Sequence, residues 1–160
     1  FLEAFNQPGP EASCELRQTS TVAPQVLTLL NAEEVHDRTL AFAARLLKER
    51  KKEPAVIQRA FALALGRSAT EDELSACIER WKQATQAEKK KTPQPKVYHK
   101  KIKRTVMAEK TGEPYDFWEV LPVYETYQPD LQGSEVDART RGLAHVCLVI
   151  FNLNEFSYLD

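Results

Sequence analysis

The chain is organised around Ala138–Tyr158, ARTRGLAHVCLVIFNLNEFSY. From Leu143 to Phe151 it is apolar at nearly every position, whereas a surface helix carries one apolar stripe and one wet face. The segment therefore predicts a buried helix at the centre of the molecule. Its start is expected at Asp137, acting alone or with Ser134 as the cap. Asn152 and Asn154 break the run well short of the ~20 apolar residues that a bilayer crossing requires, so no membrane span is expected.

The remaining helices follow from period and punctuation. Pro24 near a first turn predicts a short helix that packs Val26, Leu27, Leu29 and Leu30. Asn31 with Glu34 has the spacing of a capping box, opening a second helix with Val35, Leu40, Phe42, Ala43, Leu46 and Leu47 inward and an end near Lys51. Pro54 marks the first turn of a third helix with Ile57, Ala60 and Phe61 inward, and Gly66 fits the position just past its end. Thr70 with Glu73 is a second capping box, ahead of Leu74, Cys77, Ile78 and Trp81.

After Trp81 the composition changes. Lys89, Lys90, Lys91, Lys96, Lys100, Lys101, Lys103 and Arg104 form a basic run, with Pro93 and Pro95 stopping the helix and Tyr98 and His99 interleaved. A solvated linker is one reading of the run and a polyanion-binding surface another. Thr105–Leu121 reads as a small hairpin turning at Gly112, and the segment 122–133 as a long loop anchored by Tyr124 and Tyr127. The expected fold is mainly α: a compact helical domain fragment around a buried C-terminal helix, with a small irregular or β-hairpin insertion. It divides into a helical part (1–84), a basic linker and insertion (85–133) and the core helix (134–160).

Composition narrows the function classes. The chain has 160 residues, 42% hydrophobic and 28% charged, enough for one domain with its own core. Its 22 Lys and Arg against 23 Asp and Glu leave a net charge of −1, so no nucleic-acid partner is expected. Phe1 is preceded by no initiator Met and followed by no signal-peptide pattern, which reads as a piece of a longer protein. Cys14, Cys77 and Cys147 stand singly, outside any haem-attachment or zinc spacing, so no cofactor or metal is expected in this segment.

Phe5-Asn-Gln-Pro8, Cys14-Glu-Leu-Arg17, Pro24 to Asn31, Ala64-Leu-Gly-Arg67 with Thr70 and Glu73, and Leu143-Ala-His-Val-Cys147 through Asn152-Leu-Asn-Glu-Phe156 together resemble the C-terminal part of the planctomycete PSD domain. That domain of unknown function follows cytochrome C-like domains in large exported planctomycete proteins. The resemblance implies an extracytoplasmic setting, periplasmic or secreted. It also implies the remainder of the parent domain and the neighbouring domains as partners. It supplies no catalytic residues.

The polar groups at the end of the core helix form the candidate site. Asn152, Asn154 and Glu155 are expected to satisfy the helix end together with Arg17 or Arg67, because buried carbonyls need partners. The competing reading is part of a hydrolase acting on polysaccharide, with Glu155 and either Asp130 or Asp137 as acid and base. His145 and Cys147 are two apart on a helix and point about 200° from each other, so they form no dyad. No catalytic, cofactor-binding or metal-ligating residue is assigned. The function expected is a non-catalytic structural or interaction module.

Overall fold

A computed structural model of the protein describes residues 27, 29–122 and 131–157. Residues 27 and 29–31 are helical and lead into α1 (Glu33–Glu49), α2 (Glu53–Ala64) and α3 (Glu71–Lys89). A hairpin of β1 (Lys101–Met107) and β2 (Pro114–Val120) follows, then a 3-10 turn (Gly133–Glu135), α4 (Ala138–Phe151) and the short α5 (Asn154–Ser157). The fold is mainly α with one two-stranded insertion. No helix among the described residues is long and apolar enough to cross a membrane.

Most boundaries fall where the punctuation put them. Pro54 occupies the first turn of α2, where its missing N–H leaves no helical bond unmade. Gly66 follows that helix at φ +71°, a conformation that costs a side-chain-bearing residue energy. Thr70 and Glu73 make both bonds of the capping box at α3: the Glu73 amide donates to Thr70 Oγ1 at 3.2 Å and the Thr70 amide to Glu73 Oε2 at 2.8 Å. Asp137 caps α4 by accepting from the Thr140 amide at 2.7 Å.

Asn31 does not cap α1. Its amide donates to the Leu27 carbonyl at 2.9 Å, within the preceding helical turn, and Ala32 stands at the start of α1 in an extended conformation without a side-chain cap. α1 stops at Glu49, before Lys51, because Arg50 turns extended at φ −137°, ψ 145°. α3 runs on past residue 84 to Lys89, and the linker after it is tied down rather than free in solvent. Glu33 on α1 accepts from Lys96 Nζ at 2.5 Å and from the Tyr98 hydroxyl at 3.0 Å, and Gln132 Oε1 accepts from the Lys96 amide at 3.0 Å.

The core gathers Ala43 and Leu46 of α1, Val56, Ile57, Ala60 and Phe61 of α2, Trp81 of α3 and Leu143, Val146, Cys147 and Ile150 of α4. The buried apolar residues of α4 recur at i, i+3, i+4 and i+7, so the helix has one dry face. The flanks of that face are wetter than the sequence implied: Val149 is half exposed, and Phe151 lies partly open between Phe42 and Phe156 at ring distances of 5.4 and 4.7 Å. α4 runs antiparallel to α3. Gly142, near its start, meets Thr85 near the end of α3, and Glu155, just past its end, bonds Arg67, which also holds Glu73 in the first turn of α3.

Trp81 anchors this pair. Its ring is buried, its Nε1–H donates to the Arg139 carbonyl at 2.9 Å, and the Arg139 guanidinium lies 4.9 Å over it. Trp81→Ala is expected to cost about 3 to 5 kcal/mol in urea denaturation, the range for deleting a buried aromatic. Trp81→Phe, which keeps most of the volume and loses the hydrogen bond, should cost clearly less. Equal losses in the two variants would mean that the ring's volume contributes nothing.

Candidate functional site

The most buried charge among the described residues is Glu88, 5% exposed, in the last turn of α3. It continues the stripe that begins with Trp81 and Ala84, which turns a polar side chain inward among the packed helices. Burial of a carboxylate needs cations and hydrogen bonds around it. Arg141 Nε donates to Oε2 at 3.0 Å, Lys91 Nζ to Oε1 at 2.7 Å, and His145 Nε2 lies 3.2 Å from Oε1. Burial alone would raise the Glu88 pKa, but the bonds from Lys91, His145 and Arg141 outweigh it and hold the carboxyl down at about 2.

Glu88 and Arg141 line an open recess of about 200 Å³ with His36, Asp37, Leu40 and His145. That volume is below the roughly 300 to 1,000 Å³ of small-molecule sites. Arg141 has little left to offer a ligand, since it also donates to the carbonyls of Glu88, Gly133 and Val136 at 3.2, 3.1 and 2.5 Å. Four of its five N–H groups are thus engaged. The recess is the visible edge of a strap that binds the turn before α4 to the end of α3. Among the described residues, no group of three or more His, Cys, Asp and Glu is placed to hold a metal ion.

A second network closes the other end of the α3–α4 pair. Arg67 donates from Nε and Nη2 to the two Glu155 oxygens at 2.7 and 2.8 Å, and from Nη1 and Nη2 to the two Glu73 oxygens at 2.9 and 2.7 Å. Arg67 holds Glu73 down at about 2, and it lowers the Glu155 pKa as well. Asn152 closes α4, its Nδ2 donating to the Leu148 carbonyl at 2.8 Å. Asn154 is exposed at the start of α5. The network brings Arg67 and Glu155 together and adds Glu73, while Arg17 lies outside the described residues.

Of the two acid and base pairings, Glu155 and Asp137 do not meet. Asp137 precedes α4 and Glu155 follows it, and a 14-residue helix puts about 21 Å between its ends. Glycosidase carboxylates stand roughly 5 to 9.5 Å apart. Bonds from Thr140 lower the Asp137 pKa, and those from Arg67 lower that of Glu155. Asp130 lies outside the described residues, as do Tyr124, Tyr127 and Cys14. Cys147 is fully buried and burial pushes its thiol up, while His145 is half exposed on the other side of α4. Cys77 is a free, half-buried thiol.

The basic run is less basic than its composition. Lys91 pairs with Glu88, Lys96 with Glu33, Lys103 with Asp116 and Arg104 with Glu119. Lys89, Lys90, Lys100 and Lys101 are exposed with no ion pair among the described residues.

The hairpin strands carry the most exposed rings among the described residues. Antiparallel pairing of Lys101 with Val120 through Met107 with Pro114 sorts the side chains onto two faces. One face reads Lys101/Val120, Lys103/Trp118, Thr105/Asp116 and Met107/Pro114, and every residue on it is exposed. The other carries Tyr115 and Phe117, rings 6.1 Å apart, with Ile102 and Val106 half-buried. Trp118 at 65% and Met107 at 63% are the extremes of the exposed face. The sequence placed the hairpin, but the exposure of its rings is non-local information. Glu88 was legible in principle, as a charge on the stripe of Trp81 and Ala84, and was hidden by the lysines that follow it.

The profile of the family described as PSD1, protein of unknown function (DUF1553), matches residues 1–81. The Leu143–Phe156 motifs lie beyond that match. No curated protein and no solved structure matches the chain.

Glu88 gives a pH test. Its folded pKa of about 2 lies below the ordinary 4.5, so its stabilising effect is complete above about pH 5 and is lost as pH falls through 4.5 toward 2. Glu88→Gln, which leaves Arg141 facing a neutral amide, should cost about 3 kcal/mol at neutral pH. Urea denaturation of both proteins from about pH 6 to about pH 3 should show the gap narrowing as the unfolded chain takes up the proton that the folded carboxylate resists. A gap independent of pH would mean that Glu88 acts through its shape and not its charge.

Proposed function

The chain belongs to PSD1, a family of proteins of unknown function (DUF1553), and from that premise we propose that it is a non-catalytic interaction module whose helices hold out the β1–β2 hairpin as a contact surface. The observation that carries this reading is an insertion that the helical topology does not need. Antiparallel neighbouring helices are joined by about 2 to 8 residues in bundles. Between the end of α3 at Lys89 and the start of α4 at Ala138 the chain instead runs through residues 90–137, hairpin included.

The insertion also leaves Met107, Tyr115, Phe117, Trp118 and Val120 exposed on a ribbon two strands wide. Such ribbons are marginal in water without a partner surface, and clustered exposed rings mark contact sites. Glu155 is instead tied to Arg67 at the start of α3 and Asp137 caps its own helix, which supports the non-catalytic reading. The setting that fits is the one implied by the resemblance to the planctomycete PSD domain: an exported planctomycete protein, periplasmic or secreted, that also carries cytochrome C-like domains. Its neighbouring domains are then candidate partners.

If the hairpin rings serve contact and not the fold, Trp118→Ala and Tyr115→Ala should leave the denaturation free energy within about 0.5 kcal/mol of wild type, as for surface sites generally. A loss of about 2 kcal/mol or more in either would place the hairpin inside the folding unit and remove this reading.

A further inference from the structure

We infer that the exposed Trp118 face of the hairpin is a binding platform for a neutral polysaccharide, the sugar ring stacking on the indole and its hydroxyls meeting Thr105, Asp116 and Lys103. This rests on the reading of the hairpin as a contact surface. The adjacent rungs of one face supply both halves of such a site. Trp118, 65% exposed, presents a flat apolar ring, and same-face neighbours along a strand stand about 7 Å apart, within reach of a sugar lying on that ring. On the next rung Thr105 Oγ1 donates to Asp116 Oδ1 at 2.7 Å, and Lys103 Nζ pairs with Asp116 Oδ2 at 2.6 Å, so the three polar groups hold one another in place.

The remaining bonding capacity of this trio matches hydroxyl groups. Lys103 keeps two of its three ammonium donors, Asp116 keeps lone pairs on both oxygens, and the Thr105 hydroxyl keeps its own as acceptors. Sugar hydroxyls donate and accept, and use both kinds. The charge on the face argues for a neutral occupant. The Lys103–Asp116 pair is internally matched, as is Arg104–Glu119 on the reverse face, and Lys101 at the outer rung is the one cation of the face without an ion pair among the described residues, so a polyanion meets little uncompensated positive charge. A lipid surface would have to desolvate the Asp116 carboxylate beside the indole, which is costly. A polymer of flat, equatorially substituted rings suits the extended ribbon best.

The test uses the full chain in native gel electrophoresis through gels containing hydroxyethylcellulose, xylan or galactomannan, with heparin and anionic phospholipid vesicles as separate arms. Retardation by at least one neutral polymer is expected, unchanged when salt is raised, because no ion pair to the ligand carries it. Trp118→Ala should weaken it at least about tenfold, as stacking contributions imply, and Asp116→Asn should weaken it by less. Intrinsic fluorescence gives a second readout. Trp81 is buried at 2% exposure and Trp118 is the chain's other tryptophan, so a change on adding polymer reports Trp118. Retardation unaffected by Trp118→Ala would overturn the inference. So would salt-sensitive binding to heparin alone, binding to vesicles alone, or no binding in any arm. If the neutral polymers fail while Trp118→Ala leaves stability untouched, only the polysaccharide assignment falls. If that variant also destabilises the helices, the contact-surface reading falls with it.

Discussion

α4 can lie against α3 only because residue 142 has no side chain. A Cβ built on Gly142 would stand 2.7 Å from the Thr85 amide nitrogen and 2.9 Å from its Cα, distances that real Cβ atoms do not show. The obstruction is backbone, so no rotamer change relieves it. The rest of the packing is registered from this crossing. Arg141, the neighbour of Gly142, reaches Glu88, one turn beyond Thr85, and Trp81, one turn before it, reaches the Arg139 carbonyl. On the dry face of α4, Leu143, Val146, Cys147 and Ile150 then enter the space between α1, α2 and α3.

Two charged networks hold the ends of the helix pair that this crossing brings together, and their burial sets their weight. Glu88 is enclosed, with only 7% of its side chain exposed, so its pairs with Arg141 and Lys91 act in a poorly screened setting. Arg67, Glu73 and Glu155 are about a third exposed, where solvent and salt screen much of the attraction. The first network therefore locks the α3–α4 register that the crossing sets, and the second orients the chain as it leaves α4. Both engage the carboxylates that line the helix ends, leaving the hairpin as the exposed, unneeded part of the topology.

What the sequence made legible was local. Pro54, Gly66, the Thr70–Glu73 box, Gly112 and Asp137 act within four residues of themselves, and each stands at the boundary its chemistry dictates. Asn31 failed because a second local bond, to Leu27, competes for the same amide. The pairing of Arg67 with Glu155 spans 88 residues and was suggested by a shared need for partners at a helix end, whereas Glu88 with Arg141 spans 53 and left no trace in spacing. The apolar run of α4 identified a core helix but overstated its burial, since composition does not tell which side of Val149 faces water.

If the Gly142–Thr85 approach dictates the packing of α4, the sign of the Gly142→Ala effect on stability shows it. Helix propensity alone would make this substitution stabilising by about 0.5 to 1 kcal/mol, since glycine inside a helix costs that much relative to alanine. The close crossing predicts the opposite, a loss of about 1 to 3 kcal/mol or more from overpacking against backbone. Urea denaturation of Gly142→Ala beside wild type reads the difference directly. Lowered stability is the result this account predicts, and unchanged or raised stability would contradict it.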